Sequence, residues 1–467
     1  MAEAGFCRLG KTIRSLCSLR AKSRLLYAHD KVCGCFSSQR RHLTGRPDDG
    51  VAEYDVVIVG TGIVGLGTAV EMISRYPNLT YAVLDKETTV AAHQTGNNSG
   101  VIHAGIYYLP GTLKAKLCVE GSALMYQYCD ANNVPYKKCG KLIVAVEPME
   151  LPRLDDLYDR SQKNDVQDVR MLNPEQVKDM EPNCKALRAL YSPHTGIVDF
   201  TLVTQSLART YKEKGGKIHM GFKVTGFSES VNRSDYPVTI EGVNANVFFD
   251  HRRIRAKYVI SCAGLHSDRV AAYSGCSSNP KIVPFRGEYL KLKDKAKDLV
   301  HTNIYPVPDP SLPFLGVHFT PRMNGDVWLG PNAILAFKRE GYRFRDLNPL
   351  DFADSITFGG LWKLIFSNFA YAADQLYCSF FLTAQVKQLQ RFIPKLKVSD
   401  VEFGKAGVRA QALSPDGKLV DDFVFDKGTG SIGSRMLHVR NAPSPAATSS
   451  LAIAKMVADR AKELFNL

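Results

Sequence analysis

A glycine-rich turn near residue 60 carries the first residues whose types and spacing could do chemistry. The turn Gly60-Thr61-Gly62-Ile63-Val64-Gly65 follows the short apolar run 54–59 and precedes an amphipathic stretch at 66–76. In a strand–turn–helix unit, the first glycine of this pattern permits a tight turn, the second lets a pyrophosphate approach the backbone, and the third lets the helix pack against the strand. The helix N-terminus then presents free N–H groups to the phosphates.

An acidic residue follows this unit at the spacing expected for a ribose contact. The apolar run 81–84 ends in Asp85, whose carboxylate can accept hydrogen bonds from a ribose 2′-OH and would repel a 2′-phosphate. Strand, turn, helix, second strand and acid occur in the right order, which favours dinucleotide binding over a purely structural glycine turn. The pattern alone does not separate NAD from FAD.

A polar, glycine-punctuated loop at residues 93–108 comes next along the chain. It contains two histidines, His93 and His103, and two tyrosines, Tyr107 and Tyr108. Such a loop can lie against a flat polar ring and offer amide and hydroxyl groups to its edges. The alternative interpretation is an ordinary surface loop.

Motifs spread over most of the chain resemble one family of flavoenzymes. Together with the glycine turn, they are similar to the glycine-oxidase and D-amino-acid-oxidase type of FAD-dependent oxidoreductases, and within that type to the mitochondrial L-2-hydroxyglutarate dehydrogenase family. Short chance matches would not extend from about residue 54 to the end of the chain. The segments that carry the resemblance are Val101–Tyr108, Cys139–Glu147, Pro193–Asp199, Ile282–Tyr289, Phe314–Arg322, Trp328–Ala333, Ala406–Gln411 and His438–Thr448.

The resemblance implies an α/β fold with two parts. The first is a Rossmann-like FAD-binding domain, expected to be discontinuous over residues 51–138, 201–282 and 401–467. The second is a mixed-sheet α+β substrate domain, expected over residues 139–200 and 283–400.

The cofactor implied by the resemblance is non-covalent FAD. Relatives that attach the flavin through histidine carry it at or beside the position of Asn97, and asparagine cannot form that bond. Residues 441–448 are expected to open the last helix, whose N-terminus would stabilise the anionic reduced ring. The residues expected to bind FAD are Gly60, Gly62, Ile63, Val64, Gly65, Asp85, Lys86, Thr95, Asn98, Ser99, Gly100, Val101, Val224, Ala263, Gly264, Asn441, Ala442, Pro443 and Ser444.

The implied reaction is the oxidation of L-2-hydroxyglutarate to 2-oxoglutarate. A hydride would pass from C2 of this dicarboxylic hydroxy acid to flavin N5, and the electrons would go to the respiratory chain through a membrane quinone or an electron-transfer protein. A base must take the hydroxyl proton during this transfer. The candidate bases are His103 first, then His438 and His318.

The substrate carboxylates require cationic partners. Arginine suits this task because its planar guanidinium can bind a carboxylate with two hydrogen bonds. Arg286 and Arg409 are the main candidates, although either could instead be a structural ion-pair partner. Tyr305, Lys338 and Arg339 are further candidates for substrate binding.

Two other functions compete with this one. The first is an FAD-dependent amine or amino-acid oxidase of the same fold, and the second is a non-catalytic FAD-binding assembly factor. The arginine and histidine candidates favour a dicarboxylic substrate over an apolar amine. The presence of candidate catalytic groups in every expected segment argues against an assembly factor.

The basic charge of the chain is concentrated at its start. The 467 residues carry a formal net charge of +14, and residues 1–46 hold ten Lys or Arg against two acids. The remainder therefore gives little support to a nucleic-acid partner.

Residues 1–46 are also rich in serine and lack a continuous apolar core. This composition is typical of a mitochondrial transit peptide, and the alternative is a disordered basic tail. The expected location is the mitochondrial inner membrane, facing the matrix.

One apolar segment, residues 358–369, has two interpretations. Leu361, Trp362, Leu364, Ile365 and Phe369 fall close to one stripe of a helix. The stripe fits a core helix, and it also fits a peripheral contact with the inner membrane that would bring the enzyme to a quinone.

The eleven cysteines are scattered along the chain without metal-ligand spacing. They are expected to be reduced thiols, and the sequence predicts no metal site.

Overall fold

A computed structural model describes residues 50–231, 234–247 and 250–467 of the chain. The predicted transit peptide, residues 1–46, lies outside these ranges. The strands, in chain order, are β1 (Ala52–Val59), β2 (Tyr81–Asp85), β3 (Val101–Ile102), β4 (Tyr136–Lys137), β5 (Lys141–Ala145), β6 (Arg170–Leu172), β7 (Arg188–Ser192), β8 (Gly196–Val198), β9 (Lys217–Met220), β10 (Phe222–Glu229), β11 (Val238–Asn244), β12 (His251–Ser261), β13 (Lys281–Leu292), β14 (Asn303–Pro306), β15 (His318–Pro321), β16 (Val327–Gly330), β17 (Ile334–Leu335), β18 (Val401–Leu413), β19 (Val424–Lys427) and β20 (Met436–Asn441). The helices are α1 (Ile63–Arg75), α2 (Leu113–Ala131), α3 (Leu151–Lys163), α4 (Pro174–Met180), α5 (Phe200–Glu213), α6 (Ser267–Ala272), α7 (Pro349–Ile356), α8 (Gly359–Ser367), α9 (Phe369–Phe380), α10 (Leu382–Leu389) and α11 (Ser450–Phe465).

The first sheet is built on parallel strands in the order β9-β2-β1-β12-β20. Strands β10 and β11 extend it in antiparallel fashion, and β19 forms a hairpin with β20. The predicted unit of strand, glycine turn, helix and second strand is present as β1, α1 and β2. This arrangement confirms the Rossmann-like part of the predicted fold.

Strand β1 is covered on both faces because its apolar residues alternate between two cores. Val56 and Ile58 pack in a core with residues of α1, α5 and α11. Val57 and Val59 pack in a second core with residues of β10, β11 and β12. A continuous apolar run is what a strand buried on both faces requires.

The second sheet is mixed, as predicted for the substrate part. Its strands run in the order β17-β13-β16-β15-β14-β5-β7-β6, with β18 also paired to β13. Strands β5 and β14 are parallel, and the other pairs in this sheet are antiparallel. A small third sheet joins β3, β8 and β4.

The predicted FAD-binding segment 401–467 differs from the structure at its start. Strand β18 pairs with β13 along its whole length, from Lys281 opposite Leu413 to Leu292 opposite Val401. It therefore belongs to the second sheet, because the hydrogen bonds of both strands are satisfied there.

The glycine turn provides a direct test of the packing of α1. A Cβ on Gly65 would lie 2.1 Å from the carbonyl oxygen of Gly60, whereas a Cβ on Gly67, in the same helix, meets nothing closer than 3.5 Å. We expect Gly65→Ala to lower the free energy of unfolding by about 1–3 kcal/mol or more, because the backbone must shift to accept it. Gly67→Ala, the matched control, should be neutral or stabilise by up to about 1 kcal/mol. Chemical denaturation of both variants measures the difference, and equal stabilities would contradict it.

Candidate active site

A single large cavity of about 990 Å³ connects the glycine turn with the second sheet. Every residue predicted to bind the cofactor lines it except Gly100. Four of the residues predicted for catalysis or substrate binding also line it. They are His103, His318, Tyr305 and Arg409. The cavity therefore brings a dinucleotide crevice and a set of polar side chains into one space.

The glycine turn is held in place from both sides and leaves its outer surface open. The backbone N–H of Thr61 donates to Asp85 Oδ2 at 2.7 Å, and that of Ile63 donates to Thr95 Oγ1 at 3.1 Å. A Cβ on Gly62 would meet only Thr95 Oγ1, at 3.4 Å. Since the first N–H groups of a helix have no partner within it, the start of α1 fits a pyrophosphate group.

Asn441, the last residue of β20, and the loop 442–448 line the cavity, which differs from the predicted helix start. Helix α11 begins only at Ser450. Pro443 and Pro445 have no backbone N–H and disfavour a helical residue before them, which delays the helix. The loop is fixed by Asn441, whose amide donates to the carbonyls of Val420 and Asp422 at 2.9 and 2.8 Å.

A cluster of aromatic and basic side chains faces the other part of the cavity. His103 is held by its backbone N–H, which donates to Thr448 Oγ1 at 3.1 Å, and its ring meets the Tyr305 ring edge-on at 6.3 Å. The ring of His318 stacks on the Tyr305 ring with 4.1 Å between the ring centres. Lys141 Nζ lies 3.3 Å from Nδ1 of His103.

Both histidines are neutral in this environment. Burial, and after it the proximity of the basic groups Lys141 and His318, lowers the pKa of His103 well below its usual range. Burial lowers the pKa of His318 to about 3. The Nδ1–H of His318 donates to the carbonyl of Gly316 at 3.1 Å, which leaves its Nε2 with a lone pair. Either ring can therefore accept a proton.

Several buried polar atoms at the cavity have no hydrogen-bond partner among the residues that the structure describes. They include Nη1 of Arg409 and the hydroxyls of Tyr107 and Tyr305. Buried polar groups nearly always have a partner, so these atoms indicate a polar ligand. The guanidinium of Arg409 lies 5.4 Å from the centre of the Phe314 ring, and the cation is otherwise free to bind an anion.

The other predicted arginine, Arg286, does not line the cavity. It is almost fully buried, donates to Glu288 Oε1 at 2.9 Å and donates to the carbonyl of Arg343 at 3.0 Å. Lys338 and Arg339 also lie away from the cavity, and Arg339 is paired with Asp268 at 2.6 and 2.9 Å. The guanidinium groups of Arg286 and Arg339 are already neutralised by carboxylates, and neither residue nor Lys338 lines the cavity, so the structure gives no support to substrate contacts at these positions.

His438 also lies outside the cavity lining. It is buried on β20, and its Nε2 is 2.8 Å from the hydroxyl of Ser274. Burial lowers its pKa to about 4. Of the three histidines predicted as candidate bases, only His103 and His318 therefore line the cavity.

His93 belongs to a separate cluster at the nucleotide end of the cavity. Its Nε2 lies 2.8 Å from Glu87 and 3.0 Å from Glu340. These three side chains could approach one metal ion, but the ammonium of Lys86 lies 2.9 Å from Glu340 and 3.1 Å from His93 Nε2. The lysine thus already supplies the positive charge that the two carboxylates require.

Two residues at the site were not singled out by their sequence positions. Lys141 is the first residue of the apolar strand β5. A lysine at the end of a strand is normally expected to be exposed to solvent, yet Lys141 is only 2% exposed. Tyr107 is, in the sequence, only one of the tyrosines of the loop 93–108, without a predicted role of its own. Both residues lie in segments that carry the family resemblance, and this was the signal in the sequence that could have pointed to them.

The fold and the cavity are those of a flavin-dependent oxidoreductase. The family model described as FAD dependent oxidoreductase matches residues 55–460. Among solved structures, the FAD-bound L-α-glycerophosphate oxidase of Mycoplasma pneumoniae has a TM-score of 0.70 at 23% identity, covering 89% of this chain and 96% of that one. Glycine oxidase of Geobacillus kaustophilus has a TM-score of 0.62 at 16% identity, covering 88% and 95%.

Curated relatives narrow the family. The chain is 51% identical to the mitochondrial L-2-hydroxyglutarate dehydrogenase of Homo sapiens, over 97% of this chain and 99% of the relative. It is 56% identical to that of Nematostella vectensis, over 91% and 94%. The chain belongs to the L-2-hydroxyglutarate dehydrogenase family of FAD-dependent oxidoreductases, and its cofactor is FAD.

Proposed function

We propose that this chain oxidises L-2-hydroxyglutarate to 2-oxoglutarate. The observation that carries the proposal is the unpartnered guanidinium of Arg409 in the cavity that also contains the glycine turn and two neutral histidines. An arginine without a carboxylate partner fits the carboxylate of a substrate. Relatives that share half of their residues with this chain carry the name of this activity.

Different residues of the cavity bind the cofactor and the substrate in this proposal. The glycine turn and the start of α1 hold the pyrophosphate, and Asn441 and the loop 442–448 face the flavin end. When bound, FAD supplies the hydride acceptor. Arg409 binds a carboxylate, and the hydroxyl of Tyr107 donates to a substrate or flavin oxygen. The flavin is held without a covalent bond, because Asn97, whose amide donates to the carbonyls of Ala92 and His93, cannot attach it.

His103 is the proposed base that takes the hydroxyl proton. Its ring lines the cavity in neutral form, which a base requires. His318 is the second candidate, since its free Nε2 also faces this region.

The electron acceptor is proposed to be a membrane quinone, reached through a peripheral membrane contact. Helix α8 contains the predicted segment and has two apolar sides: Leu361 and Leu364 are buried, whereas Trp362 and Phe366 are 45% and 69% exposed. The exposed side continues into α9 through Phe369, Tyr377 and Phe380. An exposed apolar surface of this kind is typical of a membrane or protein contact. No helix in the described ranges is long and apolar enough to cross a membrane.

The proposed location is the matrix side of the mitochondrial inner membrane. The relatives are named as mitochondrial proteins, and residues 1–46 have the composition of a transit peptide. This location would place the exposed surface of α8 and α9 beside the quinone pool.

The reaction is tested by mixing the purified holoenzyme anaerobically with a panel of substrates and following the flavin absorbance. L-2-Hydroxyglutarate should bleach the flavin, whereas D-2-hydroxyglutarate, glycine and L-glutamate should not. Bleaching by an amino acid alone would support an amino-acid oxidase, and bleaching by none would support an assembly factor. Acid denaturation of the same preparation should release the flavin into the supernatant.

The same substitution, arginine to lysine, should have different effects on KM at Arg409 and at Arg286. Arg409→Lys should raise the KM for L-2-hydroxyglutarate at least about tenfold, because losing one bidentate contact removes roughly 1.5–3 kcal/mol. Arg286→Lys, the matched control, should leave KM unchanged and lower the thermal stability, since its partner Glu288 lies outside the cavity. Steady-state kinetics with an artificial acceptor measures both. An unchanged KM in Arg409→Lys would place the carboxylate elsewhere.

The membrane contact is tested with lipid vesicles and the fluorescence of Trp362. The chain has two tryptophans, and Trp328 is buried, so a blue shift on vesicle binding reports on Trp362. Phe366→Ser should weaken binding about tenfold or more, because burying a phenylalanine contributes roughly 1.5–3 kcal/mol. Phe403→Ser is the control, since Phe403 is 73% exposed but lies on β18. Equal effects of the two substitutions, or no binding by the unmodified protein, would contradict the proposal.

A further inference from the structure

Lys141 is a buried basic residue that the proposed reaction does not yet use. It begins β5 in the second sheet, opposite Asn303 of β14 and Ser192 of β7. Its Nζ lies 3.3 Å from His103 Nδ1 and 4.2 Å from the centre of the Tyr305 ring. The Tyr107 ring is 5.3 Å away. The amine thus contacts the very imidazole that is the proposed base.

The surroundings of Lys141 contain no anion to stabilise an ammonium. The ionisable groups around it in the described part of the chain are His103, His318, Tyr107, Tyr305 and the thiols Cys118 and Cys139. Burial raises the pKa of Cys118 to about 12 and also raises that of Cys139, so both thiols are neutral. Burial lowers the pKa of Lys141 itself to about 7.

The charge of Lys141 decides which nitrogen of His103 carries the proton. An ammonium has no lone pair and can only donate to Nδ1, which would force the proton onto Nε2 and leave the ring unable to accept another proton there. A neutral amine has a lone pair and can accept the Nδ1–H. The Nε2 of His103 is then free to act as a base.

We propose that Lys141, as a neutral amine, sets the tautomer of His103 and receives its Nδ1 proton during the reaction. The proposal rests on the proposed oxidation of a 2-hydroxy acid. The hydroxyl proton goes to His103 Nε2 while the Nδ1 proton passes to Lys141 Nζ, and the electron pair of the C2–H bond leaves as hydride to the FAD. The ring stays neutral, Lys141 becomes an ammonium, and it returns its proton to water after product leaves.

The neutral amine is tested first without catalysis, by the thermal stability of the holoenzyme across pH. The pKa of Lys141 is lower in the folded chain than in the unfolded chain, so the unfolded chain binds more protons between about pH 7 and pH 10.5. Stability due to this residue therefore rises with pH across that window. The Tm of Lys141→Met should exceed that of the unmodified protein at pH 6.5, and the gap should shrink by pH 9.5. A gap independent of pH overturns the proposal.

The tautomer role is tested by stopped-flow reduction of the flavin with L-2-hydroxyglutarate. In the unmodified holoenzyme the rate should rise with pH through an inflection near 7, because the amine must be neutral. A rate that falls with pH would show that the ammonium is required. Lys141→Met should reduce its flavin about 10–100-fold more slowly, as for other partners that orient a reacting imidazole, and should lack the inflection. Lys141→Arg, which stays charged, should also be slow.

A double substitution separates a role through His103 from a general packing role. In the background of His103→Gln, Lys141→Met should slow reduction no further, since both changes remove the same step. Lys137→Met, at an exposed position, is the matched control and should behave like the unmodified protein. Full additivity of the two substitutions overturns the proposal.

The experiments distinguish a failure of the proposed function from a failure of the proposed role of Lys141. If L-2-hydroxyglutarate does not bleach the unmodified protein, the proposed function is wrong, whereas the stability measurement still decides whether Lys141 is neutral. If Lys141→Met does not retain flavin, the pH profile of the unmodified protein decides, and a flat profile between pH 6 and 9 overturns the proposal.

Discussion

The structure depends on the close backbone contact at the glycine turn. A Cβ on Gly60 would lie 2.5 Å from the carbonyl oxygen of Cys262, and a Cβ on Gly65 would lie 2.1 Å from the carbonyl oxygen of Gly60. These contacts bring the ends of β1 and β12 and the start of α1 together, so that backbone N–H groups rather than side chains border the cavity. The loop before α11, which lines the same cavity, is attached to this unit through β20, the strand that pairs with β12.

A second constraint, the register of β13 and β18, decides which arginine faces the cavity. Phe285 lies opposite Arg409, and Arg286 lies opposite Val408. Opposed residues of an antiparallel pair point to the same face, and neighbours along a strand point to opposite faces. Arg409 therefore shares the cavity face with Gly407, while Arg286 points to the other face and meets Glu288. If β18 shifted by one residue against β13, Arg409 would move to the face of Arg286 and leave the cavity face.

These two constraints explain what the sequence could and could not predict. The glycine turn and Asp85 are local signals, and each glycine performs a task that depends only on neighbouring backbone, so the dinucleotide crevice was predictable. The choice between Arg286 and Arg409 depends on pairing between strands more than a hundred residues apart, which periodicity within one strand does not contain. His438 shows the same limit, because its partner Ser274 comes from a distant segment. Helix α8 is a further case, because the sequence pattern groups the buried Leu361 and Leu364 with the exposed Trp362 in one stripe.

The buried cationic side chains fall into two groups, those that are paired with a carboxylate and those that are not. Arg286, Arg339 and Arg440 are each buried against a carboxylate, from Glu288, Asp268 and Asp426 respectively. In the described ranges, no such carboxylate pairs with Nη1 of Arg409 or with Lys141. A buried charge without a counter-ion is strongly destabilising, so each of these groups must be neutralised in another way. Arginine cannot lose its proton, so the buried Nη1 of Arg409 favours an anionic ligand, whereas lysine can become a neutral amine. The same physical cost therefore supports both proposed roles, substrate binding for Arg409 and proton handling for Lys141.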